Sequence, residues 1–273
     1  MKAAGSGTRG SVVFVGAGPG QADLITLRGA ARLREAEVVL FDSLADPALR
    51  ALAPAARWID VGKRGFRGVA HRGAGPGAEN TGQATINALL VKHAAAGRRV
   101  VRLKGGDPSV FGRLEEELEA LAAAGIETEV VPGVSAAFAA AAATQRPLTR
   151  RGSGRSVALT TAMTHDRGLA ADRQRADTEV FYMAGKQLGA LARKLLAAGW
   201  PADAPVSVVS RAGWPDALAS DHALAGLGEA ALLHAGRPTV VVVGAGARKI
   251  DVSPSRPAMP AQAEPHRHRI PSP

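Results

Sequence analysis

Short apolar runs alternate with longer periodic stretches along the first half of the chain. Apolar runs of strand length predict β-strands at residues 12–15, 38–41, 58–61, 100–103 and 128–131. Apolar or small residues at helical spacing predict helices at residues 22–37, 47–53, 85–96, 115–124 and 136–144, and glycine-rich residues 65–82 are predicted to form a loop. This alternation is typical of an α/β fold with a mainly parallel sheet.

The pattern is interrupted at residues 146–155, where Pro147, Gly152 and Gly154 break it. We place a domain boundary there, with an N-terminal α/β domain at residues 12–148 and a C-terminal α/β domain at residues 149–250. The second half is predicted to contain strands at residues 156–160, 180–183, 206–209 and 240–243, and a helix at 187–198. The β-branched run at 240–243 suits a buried central strand. Residues 1–11 are expected to be flexible, and residues 251–273, which mix Pro with Ser, Arg and His, are expected to be disordered.

One strand end has the composition of a ligand site. The strand at residues 100–103 leads into Gly-Gly-Asp-Pro at residues 105–108. Paired glycines let the backbone pass close to a ligand, and a residue before proline is held in an extended conformation. In an α/β protein, a strand that ends this way forms a crevice at its carboxyl end. The pattern indicates a site but does not identify the ligand.

The first predicted strand also ends in glycines, with Gly-Ala-Gly-Pro-Gly at residues 16–20. The dinucleotide fingerprint G-x-G-x-x-G fails here, because position 21 is Gln21. Pro19 also lacks the backbone N–H that a pyrophosphate would use. Two interpretations remain open, a tight strand-to-helix turn and a small-molecule site of another kind.

Composition excludes several kinds of chemistry. The chain of 273 residues has no cysteine, which excludes disulfides, thiolate metal sites and cysteine nucleophiles. Its seven histidines are dispersed without a ligand-pair motif, so no metal is expected. No apolar run reaches the ~20 residues of a membrane span, and the N-terminus lacks the apolar core of a signal peptide. We therefore expect a cytoplasmic protein that does not enter the membrane.

The formal net charge is +10 at pH 7. A basic protein suits a polyanionic partner, either a nucleic acid or a polycarboxylate, although a composition bias toward arginine has the same effect. Only 4% of the residues are aromatic, and basic and aromatic residues are not interleaved. This argues against nucleic acid as the partner.

A series of motifs resembles one known family. In order along the chain they are Val-Gly-Ala-Gly-Pro-Gly at 15–20, Phe-Asp at 41–42, Val-Gly-Lys-Arg at 61–64, Leu-Lys-Gly-Gly-Asp-Pro at 103–108, Val-Phe-Gly-Arg at 110–113, Val-Pro-Gly-Val-Ser at 131–135 and Phe-Tyr-Met at 181–183. Together they resemble the tetrapyrrole methylases over residues 12–247, nearly the whole predicted globular part. The resemblance implies a two-domain fold with a cofactor crevice between the domains, and a homodimer.

The resemblance also implies a reaction. It points to the members that use S-adenosylmethionine to methylate uroporphyrinogen III twice, giving precorrin-2 for siroheme or corrinoid synthesis and S-adenosylhomocysteine as by-product. Methyl transfer from a sulfonium depends mainly on positioning and desolvation, and a nearby acid–base group helps because the attacking carbon must lose a proton. No metal or covalent enzyme intermediate is required, which agrees with the absence of cysteine.

Site residues follow from the resemblance, position by position. It implies Asp42 and Lys63 as acid–base residues, for which a strand-end turn carboxylate and a solvated lysine are the structural alternatives. The implied cofactor contacts are Pro19, Gly105, Gly106, Asp107, Val110, Ser135, Ala136, Met183 and Ala212. For Met183, simple core packing is the alternative. Arg64, Arg113 and Arg150 are expected to meet the carboxylates of the substrate.

The chain departs from the family pattern at several positions. Thr-Ala-Met at residues 161–163 stands where the family usually has Thr-Gly-His, and Ser210-Arg211 replaces a more usual Glu-Asn. Three other functions remain open, two because of these departures and the RNA function because of the net charge of +10. They are methylation of a later precorrin, methylation of RNA by a member of the same superfamily, and binding of a tetrapyrrole or cofactor without catalysis.

Overall fold

The computed structural model describes residues 10–62, 82–162 and 175–250 of the chain. Lys63 and Arg64, the predicted loop at 65–82 apart from Gly82, and the tail at 251–273 lie outside the described residues. Two five-stranded sheets form the framework, each covered by helices. The α/β fold class is therefore confirmed.

The first sheet is parallel throughout, as predicted. Its strands, in chain order, are β1 (Ser11–Gly16), β2 (Val38–Phe41), β3 (Arg57–Asp60), β4 (Arg99–Lys104) and β5 (Glu127–Val131). Their spatial order is β3-β2-β4-β1-β5, and every pairing is parallel. All five carboxyl ends therefore lie at one edge of the sheet.

Helices cover both faces of this sheet, which explains why its strands are apolar runs. The helices that do so are α1 (Leu27–Arg34), α2 (Gln83–Ala95) and α3 (Leu114–Ala123), whereas α4 (Ala136–Thr144), which follows β5, packs on the second sheet described below. Leu90 and Leu121 of α2 and α3 pack with Phe14 on one face, whereas Leu33 of α1 packs with Val15 on the other. Successive residues of a strand point to opposite faces, so Phe14 and Val15 belong to different parts of the core.

The helix predicted at residues 22–37 is divided in the structure. A 3₁₀ turn covers Ala22–Leu24, and α1 begins only after Thr26, whose side chain accepts a hydrogen bond from the Gly29 N–H at 3.0 Å. Threonine is a preferred residue at the start of a helix because it satisfies one of the unpaired N–H groups there. The helix predicted at 47–53 is likewise a 3₁₀ helix, Pro47–Leu52.

The second sheet differs from the prediction in strand direction. It contains β6 (Val157–Thr161), β7 (Thr178–Tyr182), β8 (Pro205–Ser210), β9 (Leu218–Ala223) and β10 (Thr239–Gly244), in the order β6-β7-β10-β8-β9. Only β6 and β7 pair in parallel, and the other pairings are antiparallel. The expectation of mainly parallel sheets is therefore wrong for this half. A short connection at 211–217 turns the chain back on itself, which antiparallel strands allow and parallel strands do not.

The β-branched run at residues 240–243 does form the central strand of this sheet, as predicted. Helix α5 (Leu188–Ala197), a 3₁₀ helix at Leu224–Glu229 and the short α6 (Ala230–Leu233) cover one face. Their core includes Leu191, Leu195, Trp200, Val208 and Val241. On the other face, α4 packs its small residues against β7, β8 and β10. Helix α4 thus joins the two halves of the molecule.

Within the described residues, no helix is both long enough and apolar enough to cross a membrane. The same part of the chain has no group of three or more histidine, aspartate or glutamate side chains placed to hold a metal ion.

Candidate functional site

Three glycines pack backbone against backbone at the carboxyl edge of the first sheet. A Cβ at Gly16 would lie 2.5 Å from the Gly133 Cα, and a Cβ at Gly133 would lie 2.3 Å from the Gly106 carbonyl oxygen. Gly106 also exchanges backbone hydrogen bonds with Gly18, at 2.7 and 3.3 Å. The loops after β1, β4 and β5 are therefore locked together without side chains between them. This accounts for the glycine content of the motifs seen in the sequence.

Gly106 is also open on its outer side. Its φ is +73°, a backbone conformation that favours glycine, and a Cβ placed there would meet no atom nearer than the Val134 carbonyl oxygen at 4.0 Å. Gly105, by contrast, is closely packed, since a Cβ there would lie 2.6 Å from the Leu44 Cβ. Space for a ligand thus adjoins the backbone at Gly106, on the side away from Gly16 and Gly133.

Asp107 joins two of the loops through its carboxylate. One oxygen accepts a hydrogen bond from the Ser109 N–H and the other accepts one from the Gly133 N–H, both at 2.8 Å. These bonds hold the glycine loops in register at the point where β4 and β5 end. The predicted contact of Asp107 with the cofactor would have to use lone pairs that these two bonds leave available.

Asp42 follows β2 and points along the same edge. One carboxylate oxygen accepts a hydrogen bond from the Gly105 N–H and the other accepts one from the Leu44 N–H, each at 3.0 Å. The side chain therefore orients the glycine pair as well as facing the crevice. The structural alternative, a turn carboxylate, describes part of what Asp42 does and does not exclude an acid–base role.

The second sheet approaches this edge through the ends of β7 and β8. The Tyr182 hydroxyl lies 2.6 Å from the Ser135 Oγ and accepts a hydrogen bond from the Ala137 N–H at 3.3 Å. The Phe111 ring packs against the Tyr182 ring with centroids 5.1 Å apart. Tyr182 thereby links the β5–α4 connection and the loop after β4 to the second sheet.

A second link lies beside the first glycine loop. The Gln21 N–H donates to the Gly213 carbonyl oxygen at 2.9 Å, and a Cβ at Gly20 would lie 2.1 Å from that oxygen. Pro19 packs against Gly213, and neighbouring Ala212 is buried against residues of α4. The loop at residues 211–213 therefore closes one side of the crevice.

Residues with a left-handed backbone cluster around this crevice. Phe111, Arg113, Met183 and Arg211 all have φ between +51° and +56°, which is uncommon for residues other than glycine. Such conformations persist where the surrounding structure imposes them, often at functional sites. Met183 is 42% exposed, so the core-packing alternative considered for it is wrong.

A buried cluster of charges supports the loop after β4 from beneath. Glu117 of α3 is fully buried and accepts hydrogen bonds from Lys104 at 2.6 Å, Arg102 at 3.1 Å and Gln83 at 3.2 Å. Burial lowers the pKa of Lys104 and the adjacent Arg102 lowers it further, while Glu117 and Asp42 oppose the shift. Because β4 supplies the cations and α3 the anion, the cluster holds together the two ends of the loop that contains Gly105–Gly106–Asp107.

Two of the three arginines expected to bind substrate can be placed. Arg113 lies at the crevice, where its guanidinium forms a bidentate ion pair with Glu116 at 2.6 and 2.7 Å. The structure does not bring Arg150 to the crevice. Its guanidinium donates to the Arg248 carbonyl oxygen, at the opposite end of the second sheet. Arg64 and the predicted acid–base residue Lys63 lie outside the described residues.

All nine of the predicted cofactor contacts lie at or beside this edge. Those that line or adjoin it are Pro19, Gly105, Gly106, Asp107, Val110, Ser135, Ala136, Met183 and Ala212. Sequence reasoning did not select Phe111, Tyr182 or the Lys104–Glu117 pair. Tyr182 had a usable signal, since it precedes Met183 at a strand end. Glu117 had none, because one more acidic residue in a glutamate-rich helix is not distinctive.

The sequence matches a known family over most of its length. Residues 11–225 match the Tetrapyrrole (Corrin/Porphyrin) Methylases. A uroporphyrinogen-III C-methyltransferase from Pseudomonas aeruginosa is 42% identical over 206 residues, which cover 74% of this chain and 80% of that protein. A siroheme synthase from Citrobacter koseri is 41% identical over 86% of this chain, but the match spans only 50% of that longer protein.

Solved structures give the same result. The uroporphyrin-III C-methyl transferase from Thermus thermophilus, complexed with S-adenyl homocysteine, superposes with a TM-score of 0.71 at 34% identity, covering 86% of this chain and 97% of that one. A cobalt precorrin-4 methyltransferase superposes with a TM-score of 0.74 at 26% identity, covering 91% of this chain and all (100%) of that one.

Proposed function

The chain belongs to the tetrapyrrole methylases, and we propose that it transfers methyl groups from S-adenosylmethionine to carbon atoms of uroporphyrinogen III. The observation that supports this most directly is the open space beside Gly106, in a crevice whose walls come from both sheets. The similarity to uroporphyrinogen-III C-methyltransferases favours this substrate over a later precorrin or RNA. A homologue at 26% identity that methylates cobalt precorrin-4 is the more distant match in sequence.

The residues of the crevice suit S-adenosylmethionine in their chemistry. The open space beside the Gly106 backbone suits the close approach of a polar ligand, and the left-handed, half-exposed Met183 offers it an apolar wall. When bound, the cofactor supplies a methyl group that its positive sulfonium makes ready to leave. Residues of both sheets would hold it, with Pro19 and Ala212 on one side and Ser135 and Ala136 on another.

Acid–base chemistry is proposed for Asp42 and Lys63. The backbone N–H groups of Leu44 and Gly105 donate hydrogen bonds to the Asp42 carboxylate and fix its orientation. The lone pairs that these two bonds leave available would take the proton from substrate carbon. In the sequence, Lys63 follows β3, which lies beside β2 in the first sheet. Strand β3 ends at Asp60, at the carboxyl edge of that sheet, three residues before Lys63. Arg113 is proposed to bind substrate carboxylates through the guanidinium N–H groups that do not donate to Glu116.

We also propose a homodimer in the cytoplasm. In support, Phe138 of α4 is 57% exposed, and Leu159 of the edge strand β6 is 37% exposed beside it, with Leu148 and Val157 lining the same apolar hollow. Light scattering should give twice the chain mass, and Phe138→Asp should halve it. A monomeric wild-type protein would contradict this part of the proposal.

The function is tested by an anaerobic assay with S-adenosylmethionine and uroporphyrinogen III, followed by absorbance and product mass. We expect a gain of two methyl groups. Gly106→Ala, which puts a methyl group into the open space, should weaken binding of S-adenosylhomocysteine about tenfold or more. Gly199→Ala is the matched control, since Gly199 also has a positive φ and open space but lies outside the crevice.

Each alternative function predicts a different result when other substrates are tested in the same way. Cofactor binding without methylation of uroporphyrinogen III, but with methylation of a later precorrin, would replace the proposed substrate. Methylation of RNA with a steep loss of RNA binding in added salt would replace the substrate class. Binding of cofactor and macrocycle without any turnover would indicate a non-catalytic protein.

A further inference from the structure

A chain of side-chain hydrogen bonds lies buried behind the crevice loop at residues 211–213. His234, which is fully buried, places Nδ1 2.5 Å from the Ser210 Oγ and Nε2 2.8 Å from the Ser220 Oγ. Ser220 in turn lies 2.8 Å from the His222 Nε2, and Ser210 lies 2.9 Å from the Thr239 Oγ1. Five side chains from β8, β9, β10 and the end of α6 thus form one continuous chain.

The donor and acceptor roles in this series of hydrogen bonds follow from its last acceptor. The Thr239 Oγ1 lies 2.8 Å from the Arg237 carbonyl oxygen, which can only accept, so Thr239 donates its single hydrogen there. Ser210 must then donate to Thr239, and its oxygen must accept from the N–H at Nδ1 of His234. Each hydroxyl has one hydrogen, so no alternative arrangement satisfies both contacts of Ser210.

The same reasoning assigns the donors and acceptors from the His234 ring through Ser220 to His222. A neutral His234 that carries its hydrogen on Nδ1 has a bare Nε2, which accepts from the Ser220 hydroxyl. Ser220 then accepts from the N–H at Nε2 of His222. Burial lowers the pKa of His234, and the nearby His222 and Arg237 lower it further, which agrees with a neutral ring. A second hydrogen on His234 would reverse the direction at Ser220, which would then accept from His234 and donate to a bare Nε2 of His222.

The series of hydrogen bonds is connected to the crevice loop through Ser210 and through the residues on either side of Pro238. Ser210 is the last residue of β8 and directly precedes Arg211, whose N–H donates to the Pro238 carbonyl oxygen at 2.8 Å. Arg237 and Thr239, on either side of Pro238, are the two groups that terminate the chain. The strand end that precedes Ala212 is therefore held from behind by several hydrogen bonds, and His234 contributes to them through Ser210.

We propose that His234, as the tautomer protonated on Nδ1, is a positioning residue for the cofactor-facing loop at residues 211–213. It touches neither cofactor nor substrate, and it acts through Ser210. The inference rests on the proposed function in one respect, namely that this loop forms part of the cofactor site. The tautomer itself is independent of function.

The tautomer is tested first, by ¹⁵N NMR of the histidine rings in the full chain, with His234→Asn used for assignment. The expected pattern is an Nδ1–H ring for His234 and an Nε2–H ring for His222. An Nε2–H ring, or a charged ring, at His234 in neutral solution would overturn the proposal.

Positioning is tested by calorimetric binding of S-adenosylhomocysteine to variants along β8. Ser210→Ala should weaken binding about tenfold, the equivalent of one lost hydrogen bond of ~1.4 kcal/mol. Ser207→Ala is the matched control, since Ser207 is buried in the same strand and its hydroxyl has no hydrogen-bond partner among the described residues. Equal affinity in both variants would overturn the proposal.

Two replacements of His234 separate positioning from packing. Asparagine places its N–H near the position of Nδ1, whereas glutamine is closer in volume but places its amide nearer to Nε2. We expect His234→Asn to bind S-adenosylhomocysteine more tightly than His234→Gln, while packing alone predicts the reverse order. If the wild-type protein binds no S-adenosylhomocysteine, the proposed function fails. If it binds and these variants bind equally well, only the present inference fails.

Discussion

The buried charge cluster allows a quantitative test of how the crevice loop is supported. Among the described residues, Glu117 is the one anion that contacts both Lys104 and Arg102, and all three side chains are at least 94% buried. Replacing the anion leaves two like charges without hydration, whereas replacing one cation leaves a balanced pair. We therefore expect Glu117→Gln to destabilise the protein much more than Lys104→Met.

The distances give the approximate size of each effect. With an effective dielectric constant of about 20, ion pairs at 2.6 and 3.1 Å attract by about 6 and 5 kcal/mol. Each buried ion also costs several kcal/mol of lost hydration. Glu117→Gln removes both attractions but keeps the hydration cost of both cations, so we expect a loss of about 3–5 kcal/mol. Lys104→Met removes one attraction together with one hydration cost and the repulsion from Arg102, so we expect a loss below about 2 kcal/mol.

Urea unfolding at neutral pH, followed by circular dichroism, measures these losses as changes in the transition midpoint at constant slope. Glu119→Gln on the same helix is the control, because Glu119 is exposed and its replacement should change stability by less than about 0.5 kcal/mol. The reasoning is refuted if Lys104→Met destabilises as much as Glu117→Gln, since the two-to-one balance of charges would then have no consequence.

Three further predictions concern other parts of the structure. Asp107→Ala leaves two backbone N–H groups without their acceptor, so it should cost about 1–3 kcal/mol in urea unfolding and weaken S-adenosylhomocysteine binding; unchanged stability would contradict this. Tyr182→Phe removes the hydroxyl that bonds Ser135, and should weaken cofactor binding in calorimetry by about the worth of one hydrogen bond, ~1 kcal/mol. Arg146 lowers the pKa of Asp221 to about 2, so the stability from this partly exposed pair is present above about pH 4 and is lost as the pH falls toward 2. The loss of stability in Asp221→Asn, below ~1 kcal/mol at neutral pH, should therefore vanish over that range.

The first sheet could be predicted from the sequence because its strands are buried on both faces. Continuous apolar runs such as Val38–Phe41 identify such strands, and intervening helices require parallel pairing. In the second sheet, β9 has the sequence Leu-Ala-Ser-Asp-His-Ala and lies at an exposed edge, so its hydrophobic pattern is too weak to detect. Strand direction in this sheet depends on the lengths of the connections between strands. Those lengths are known only once all the strands have been located in the structure.

The candidate site could be predicted only where its chemistry is local in sequence. The glycine segments at 16–20 and 105–106 identify their own loops, because each needs glycine for its own backbone. Ser210 and His234 are 24 residues apart, and neither is unusual by itself. Their contact depends on the end of α6 lying beside the end of β8, which no spacing rule predicts.

The departures from the family pattern gain a physical explanation when they are considered together. Arg211 stands where the family usually has asparagine, yet its guanidinium lies 4.6 Å above the Trp214 ring and pairs with Asp216 at 2.8 Å, and this pairing lowers the pKa of Asp216. Ser210 stands in place of a glutamate and is hydrogen-bonded to buried His234. The two substituted residues therefore hold the crevice wall at 211–213 through contacts within this part of the second sheet, Arg211 through Trp214 and Asp216 and Ser210 through His234.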